Sequence, residues 1–503
     1  MLQELKKLQS GTDIRGIATE YNGTKNLTPD LVRALGNGFL EWLKNNKSID
    51  KGSIKIAVGI DSRLSGPELK EALIKVFLNS GCNIYDCGMC TTPAMFMTTI
   101  LEDHSCDGAI MITASHLPYY YNGLKFFTKE GGCEKEDIVE IIEYSCLEGK
   151  SCAGGSVENV DFIDVYSNIL VNKIRKSVNS EINYEFPLEG KKIIVDAGNG
   201  AGGFFAHKVL AKLGADIEGS QFTEPDGNFP NHIPNPENKE AMESIKKAVL
   251  QNKADLGIIF DTDVDRAAVV SSDGTEINKN ALIALISAIV LEETPSSTIV
   301  TDSVTSSGLA EFITNLGGTH HRFKRGYKNV INEAKRLNEK GSESNLAIET
   351  SGHAALKENY FLDDGAYLVS KILIKMAKLK EEGKDISSLI ENLKYPKESR
   401  DIRINIKRAD FRTYGEMIIE GLKKYVGQIE GWTIEPQNYE GVRINCNKKS
   451  GDGWFLLRLS LHEPVLALNV ESDSDNGTNV MLEKLILFLK KYEELEDISK
   501  QIP

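Results

Sequence analysis

One module that occurs three times constrains this chain more than any other feature. Ile54-Lys-Ile-Ala-Val-Gly-Ile-Asp61 is an apolar strand ending in an acid. A Ser/Gly/Pro turn follows, then a helical stretch from Leu69 to Leu78, Gly81, and a second strand near Ile84. Residues 192–222 repeat the plan with Ile193-Ile-Val-Asp196, a glycine turn, a helix from Phe204 to Leu213, and Gly214. Residues 298–323 repeat it with Thr298-Ile-Val-Thr-Asp302, a turn, a helix from Leu309 to Leu316, and Gly317. Strand, helix and strand in that order form a βαβ unit, so three copies predict three successive α/β domains.

The last hundred residues follow another plan. Arg403–Ile406, Trp432–Ile434, Val442–Asn445 and Trp454–Leu459 alternate like strands of a half-exposed sheet, and 411–426 and 480–495 are amphipathic. They predict a smaller α+β domain. The lysine-rich stretch from Ile372 to Lys384 reads as a helix with a solvated face, because Glu381 and Glu382 interrupt its charge. Pro396 then marks a boundary.

Composition removes whole classes of function. The 503 residues carry 59 Lys plus Arg against 73 Asp plus Glu, a formal charge of −14. That balance excludes a surface built throughout for nucleic acid or anionic lipid, but leaves room for a local basic pocket. The most apolar run, Ala281 to Leu291, is too short to span a bilayer, and the first residues lack an apolar signal segment. A cytoplasmic protein is expected. Seven of the eight cysteines fall between Cys82 and Cys152 and read as reduced thiols. Cys87-Gly-Met-Cys90 has no second CxxC to complete a zinc site, so buried strand-end cysteines are expected rather than a redox pair.

Four motifs carry chemical residue types. Gly108-Ala-Ile-Met-Ile-Thr-Ala-Ser115-His116 runs a strand into a serine turn, with Lys125 shortly after. Such a serine either makes a local turn bond or serves as a nucleophile or phosphate carrier. Asp261-Thr-Asp263-Val-Asp265-Arg266 places three carboxylates at alternate positions between apolar strands. One loop can converge them on a hard cation, Mg²⁺ above all, although solvated turn acids are the alternative. The loop is no EF-hand, since Arg266 and Ser272 stand where Gly and Glu belong. Glu349-Thr-Ser351-Gly-His353 offers an acid and a hydroxyl for sugar hydroxyls and an imidazole for proton transfer, or else a plain capping loop. Arg458-Leu-Ser460-Leu-His462 supplies a guanidinium, a hydroxyl and an imidazole on one extended face, suited to a phosphate or simply exposed.

A fifth signal points elsewhere. Gly198-Asn-Gly200-Ala-Gly-Gly203 fits the dinucleotide pattern, with Glu218 about twenty residues on, so an NAD-dependent oxidoreductase is an alternative. Asp196 and Ala197 separate the strand from the first glycine, which favours an ordinary glycine turn entering a helix.

Taken in order, Ser10-Gly-Thr-Asp-Ile-Arg15-Gly, Thr113-Ala-Ser115-His116, Asp261–Arg266, Glu349–His353 and Arg458–Pro464 resemble the α-D-phosphohexomutase superfamily, the phosphoglucomutases and phosphomannomutases. Val195-Asp-Ala-Gly-Asn-Gly200 also matches a structural turn of that family. The resemblance spans nearly the whole chain. It implies three tandem α/β phosphohexomutase-type domains with mixed sheets, plus a C-terminal α+β, TATA-binding-protein-like domain, all around a central cleft. The expected boundaries are 1–165, 166–276, 277–395 and 396–503.

The resemblance further implies reversible phosphoryl transfer between hexose 1-phosphate and hexose 6-phosphate through a phosphoserine and a hexose 1,6-bisphosphate. Ser115 would carry the phosphate, with Asp261, Asp263, Asp265 and the Ser115 phosphate holding one Mg²⁺ per subunit. Arg15, His116 and Arg266 would lie near that phosphate. Lys125 and His353 would be the acid/base pair. Glu349 and Ser351 would read the sugar hydroxyls, Lys324 would contact the substrate, and Arg458, Ser460 and His462 would hold the phosphate that is not reacting. A hinge near Lys394 to Arg400 would open the cleft while the bisphosphate turns. The expected partner is a phosphosugar, with no nucleic acid or membrane, and the chain a monomer or homodimer.

The chain also departs from the family pattern. Leu461 and His462 replace the usual Gly and Thr of the phosphate loop, which implies a stiffer, partly pH-dependent clamp. Arg322-Phe-Lys324-Arg325-Gly326 carries extra cations. Glu-Thr-Ser-Gly-His is closer to the loops that handle glucose and mannose than to those of amino-sugar mutases. A non-catalytic sugar-phosphate binder that kept the fold is the remaining alternative.

Overall fold

The strand Lys55–Ile60 is buried at every residue after the first, as its unbroken apolar run requires of a strand covered on both faces. It runs parallel to Asn83–Met89 on one side and Gly108–Ile112 on the other. The computed structural model describes residues 1–46, 54–147, 154–381, 383–460 and 463–499. The chain divides into two compact units, Met1–Leu282 with Ser351–Ser388, and Ile283–Thr350 with Leu389–Pro503.

In the first unit an eight-stranded mixed sheet begins from that parallel centre. Ser156–Asn159 extends it in parallel beside Asn83–Met89. On the other edge Tyr121–Thr128 runs antiparallel to Gly108–Ile112, and Asp13–Ile17 antiparallel to Tyr121–Thr128. This register sets Lys125 opposite Met111 and Arg15 opposite Gly123. Parallel strands bring their carboxyl ends to one edge of a sheet, where α/β proteins bind ligands. Asp61 and Thr113–Ser115 follow directly from two such ends.

A second sheet in this unit places Ile193–Asp196 parallel to Leu256–Phe260, with Ala267–Ser271 and Glu276–Ile277 added antiparallel. The turn between Phe260 and Ala267 is the triple-aspartate loop. The second βαβ copy is more irregular than its sequence suggests. Its expected helix from Phe204 to Leu213 is instead a 3₁₀ turn at Ala201–Gly203, wider π-helical turns at Phe205–Leu210 and another 3₁₀ turn at Ala211–Leu213. Its second strand is reduced to single parallel bridges at Asp216 and Gln221. Four glycines between 198 and 203 weaken helix initiation there. The helix expected over 372–384 spans Gly365–Glu381, and Ile372, Leu373 and Ile374 on it are all buried. The expected solvated face is corrected: among the described side chains of this helix only Lys378 is exposed and Lys375 half-buried.

The second unit holds three parallel strands, Thr319–Arg322, Thr298–Thr301 and Ser344–Ile348, with Thr298–Thr301 central. It also holds an antiparallel sheet in the order Glu398–Asn405, Val465–Ser472, Gly453–Leu459, Val442–Cys446 and Trp432–Ile434. Helices Phe411–Val426 and Gly477–Leu489 share one apolar core with that sheet. This is the α+β arrangement expected for the C-terminal region. Among the described residues no helix is long and apolar enough to cross a membrane.

Candidate functional site

Beyond the strand Gly108–Ile112 the backbone turns sharply, and Ser115 adopts φ +51°. A non-glycine residue in the left-handed region costs of order 1–3 kcal/mol and persists only where its surroundings hold it. Here Thr113 Oγ1 accepts from the Ser115 backbone N–H at 2.9 Å and donates to Asp61 Oδ2 at 2.7 Å. The Ser115 hydroxyl donates to Asp261 Oδ2 at 3.0 Å and lies 3.3 Å from His116 Nδ1. Burial, with Arg266 and Arg15 nearby, pushes His116 down to about 3. Its imidazole is therefore neutral beside the hydroxyl.

The aspartate loop is strained in the same way, since Val264 between Asp263 and Asp265 has φ +65°, unusual for a β-branched residue. Oxygens of Asp261, Asp263 and Asp265 lie within 4.8 Å of one another, and all three residues are buried. Lys125 Nζ donates to Asp263 Oδ2 at 2.9 Å and Asp265 Oδ2 at 2.5 Å. Thr92 Oγ1 donates to Asp263 Oδ2 at 2.5 Å. Arg266 Nε donates to Asp261 Oδ2 at 3.0 Å.

The two ends of this cluster titrate in opposite directions. Burial and the Asp265 charge raise Asp261 well above the usual carboxylate range. Burial opposes ionisation of Asp265 too, but Lys125, His353 and Arg266 hold it well below that range. Among the described residues, Asp263 Oδ1 and Asp265 Oδ1 are buried without a hydrogen-bond partner. Converging carboxylate oxygens, two of them unsatisfied, fit a hard divalent cation with oxygen ligands. Arg266 Nη2 is likewise buried without a hydrogen-bond partner among the described residues.

His353 belongs to the same cluster. A bridge pairs Arg266 with His353, and Gly352, at φ +95°, lets the chain pass close to the aspartate loop, because a Cβ there would stand 3.0 Å from Ala267 O. His353 Nε2 lies 3.7 Å from Asp265 Oδ1 and 3.7 Å from Asp363 Oδ2, while its Nδ1 meets Ser351 Oγ at 2.9 Å. Burial lowers its pKa well below the ordinary imidazole value. Arg15 pairs with Asp13 at 2.9 Å. Ser115, His116, Lys125, the three aspartates, Arg266, Ser351 and His353 thus meet within the first unit.

In the second unit Glu349 is buried and accepts from the Gly326 backbone N–H at 2.6 Å. The next donor, the Arg325 N–H, bonds Glu440 Oε2 at 3.1 Å, and Ser303 Oγ donates to the same oxygen at 2.6 Å. Arg458 Nη1 stands 3.8 Å from Glu440 Oε1. Gly326 has φ +121°, which only glycine adopts without strain. Glu349, the 325–326 backbone, Glu440 and Arg458 are therefore gathered together. Lys324 is exposed, and Ser460 accepts from the Glu463 N–H at 3.3 Å. Leu461, His462, Cys152 and Glu382 lie outside the described residues.

Sequence reasoning missed several participants. Arg63, Thr92, Asp363 and Glu440 all touch groups named above. Arg63 had a signal, as the basic residue two positions after a strand-ending Asp61. Glu440 stood just ahead of the strand Val442–Cys446 and had none of its own.

The dinucleotide reading of the glycine turn is overturned. A Cβ on Gly200 would stand 2.7 Å from Thr262 O, and one on Gly203 would stand 2.0 Å from Thr223 O. The glycines admit neighbouring backbone, and the Ala201 N–H bonds Thr262 O at 2.8 Å. The turn supports the aspartate loop rather than cradling a pyrophosphate. Cys87 and Cys90 are buried free thiols, as expected, with burial pushing Cys90 up to about 12.

Comparison with known proteins gives the family of the chain that carries this arrangement. Sequence profiles for the phosphoglucomutase/phosphomannomutase alpha/beta/alpha domains I, II and III match residues 6–151, 168–274 and 278–395. A phosphomannomutase/phosphoglucomutase of Pseudomonas aeruginosa is 30% identical over 493 residues, covering 98% of this chain and 96% of the relative. A phosphoglucomutase of Neisseria gonorrhoeae is 31% identical over 468 residues, covering 92% of each chain. The crystal structure of a phosphoglucomutase/phosphomannomutase family protein from Burkholderia thailandensis superposes with a TM-score of 0.79 at 28% identity, over 97% of each chain. The chain belongs to the phosphoglucomutase/phosphomannomutase family. Its activity is that class of isomerase chemistry, hexose-phosphate mutation, and its substrate is a sugar phosphate.

Proposed function

We propose that this chain interconverts the 1- and 6-phosphates of glucose, of mannose or of both through a phosphoserine at Ser115. The observation that carries the reading is the Ser115 hydroxyl, held in a strained strand-end turn 3.0 Å from one of three converging aspartates. Phosphoryl transfer asks a protein mainly for positioning and charge neutralisation.

In the proposed cycle a free sugar hydroxyl attacks the phosphorus on Ser115. The new O–P bond forms as the Ser115 Oγ–P bond breaks; within the acid/base pair, His353 takes the hydroxyl proton and the Lys125 ammonium gives one to the departing Ser115 Oγ. Arg15, His116 and Arg266 surround the transferring group, and Arg266 offers an Nη2 that has no hydrogen-bond partner among the described residues. A Mg²⁺ held by Asp261, Asp263 and Asp265 would neutralise charge on that group. The product is a hexose 1,6-bisphosphate, which turns over and returns its other phosphate to Ser115, so free bisphosphate also serves as activator. Glu349 and Ser351 bind the sugar hydroxyls. Lys324 contacts the substrate, and Arg458, Ser460 and His462 bind the phosphate at rest.

Ser115→Ala tests the proposal. Glucose 1-phosphate conversion is expected to fall by at least ~10⁴-fold, the scale seen when a covalent nucleophile is removed. Intact mass should show phosphate on the wild type after treatment with glucose 1,6-bisphosphate and none on the variant. A fully active variant would defeat the mechanism, and a wild type that binds bisphosphate without turnover would make the protein a binder only.

A further inference from the structure

The carbonyl of Ser115, in its strained turn, accepts from Arg63, which stands two residues after the strand-ending Asp61. Arg63 is almost completely buried, with 1% of its surface exposed. A guanidinium carries five N–H donors in a fixed plane, and here five bonds are made. Nε donates to Asp61 Oδ2 at 3.2 Å. Nη1 donates to the carbonyls of Pro118 at 2.8 Å and Tyr121 at 2.9 Å. Nη2 donates to the carbonyls of Ser115 and, at 2.6 Å, Leu117. Four of the five acceptors are thus backbone oxygens of the single loop 115–121.

The second grip on the loop starts from the same acid. Asp61 holds Thr113 Oγ1, which holds the Ser115 N–H, so both backbone polar groups of Ser115 trace back to the Asp61/Arg63 pair. The opposite charges of that pair sit 3.2 Å apart. Arg63 therefore contributes geometry to the loop rather than net charge. The surroundings leave the guanidinium little freedom. The Phe229 ring lies 5.2 Å from its Cζ, and a Cβ on Gly227 would meet the Ser62 carbonyl at 2.5 Å.

We propose that Arg63 is the positioning residue of the phosphoryl-carrying loop: its planar fork gathers the carbonyls of residues 115, 117, 118 and 121 and so fixes the turn that aims the Ser115 hydroxyl at the aspartate cluster. Lysine cannot replace it, because one ammonium presents three donors from a single point and cannot span four carbonyls. This inference rests on Ser115 being the phosphoryl carrier.

The test uses full-length Arg63→Lys, Arg63→Ala and Ser115→Ala, assayed with glucose 1-phosphate, Mg²⁺ and glucose 1,6-bisphosphate. Circular dichroism establishes folding. Intact mass follows phosphoryl release from the phosphorylated protein in single turnovers. Folded Arg63→Lys is expected to lose about 100-fold in kcat, the scale of a reacting group misplaced by about 1 Å. KM should move less than about threefold, because the loss is in the transition state, and the single-turnover rate should fall in step with kcat. Arg63→Ala should regain activity with added guanidinium but not with methylammonium. Wild-type kcat in folded Arg63→Lys overturns the inference, as does a kcat loss with an unchanged single-turnover rate, or equal rescue by methylammonium. If Arg63→Ala does not fold, Arg63→Lys alone decides. An active Ser115→Ala removes the Ser115 reading itself, whereas an inactive Ser115→Ala beside an unimpaired Arg63→Lys removes only the role of Arg63.

Discussion

The two halves of the candidate machinery are built differently. In the first unit, Ser115, Lys125, Asp261, Asp263, Asp265 and Arg266 are all buried, and side chains hold side chains. In the second unit, Glu349 and Glu440 each accept from a backbone N–H, of residues 326 and 325, while Lys324 is exposed and Arg458 and Ser460 are partly so. The first half suits chemistry, because fixed charges in a dry site cost no reorganisation as the reaction proceeds. The second suits recognition, since partly exposed groups on loops and strand ends can meet a substrate from solution. Changes in the first half should therefore lower kcat, and changes in the second should raise KM.

Asp263→Asn gives the largest effect that separates the halves. It removes one carboxylate of the converging set and one partner of Lys125. We expect kcat to fall about 10³-fold, in the range found for losing one fixed electrostatic group, with KM changed little. Chelation of the wild type should abolish activity, and Mg²⁺ should restore it. Restoration failing in the wild type, or a loss confined to KM in the variant, would show that the acidic loop belongs to recognition instead.

Arg458→Ala is the matching change in the other half. Losing a charge-assisted pair to a non-reacting phosphate should raise KM by about 10- to 100-fold, since each tenfold corresponds to about 1.4 kcal/mol. The effect on kcat should stay within about fivefold if the phosphate bond is equally strong in ground and transition states. A fall in kcat as large as that of Asp263→Asn would erase the distinction between the halves.

The same contrast explains what the sequence disclosed. Ser115 follows a strand end and the three aspartates alternate along one loop, so local pattern and chemistry pointed to them together. The three βαβ copies were legible because apolar strands and intervening helices have distinct periods. Arg63 was legible only as a basic residue two positions after Asp61, because four of its five partners are backbone carbonyls. Glu440, which meets the Ser303 hydroxyl, the Arg325 N–H and Arg458, stood in no motif. Arg63 reaches a loop more than fifty residues away. The regular helix expected at Phe204–Leu213 failed for a related reason: the glycines before it serve tight packing against Thr262 and Thr223, and tertiary packing there overrides local propensity.

That packing yields the smallest of the expected effects, and a test of how rigid the first half is. His232 Nε2 contacts both oxygens of Asp196 at 2.9 and 3.0 Å, directly before the glycine turn that supports the aspartate loop. Burial alone would lower the His232 pKa, but the bond and charge of Asp196 outweigh it and raise it above 6.5. A raised histidine pKa means the folded state binds the proton more tightly than the unfolded chain does. The stabilisation is complete below 6.5 and is lost as pH rises through the folded-state value. The melting temperature of the wild type should exceed that of His232→Gln most clearly near about pH 6, with the gap narrowing toward about pH 9, because an imidazole titrates in that interval and an amide does not. A gap that widens with rising pH would mean that the pair is held neutral in the folded protein.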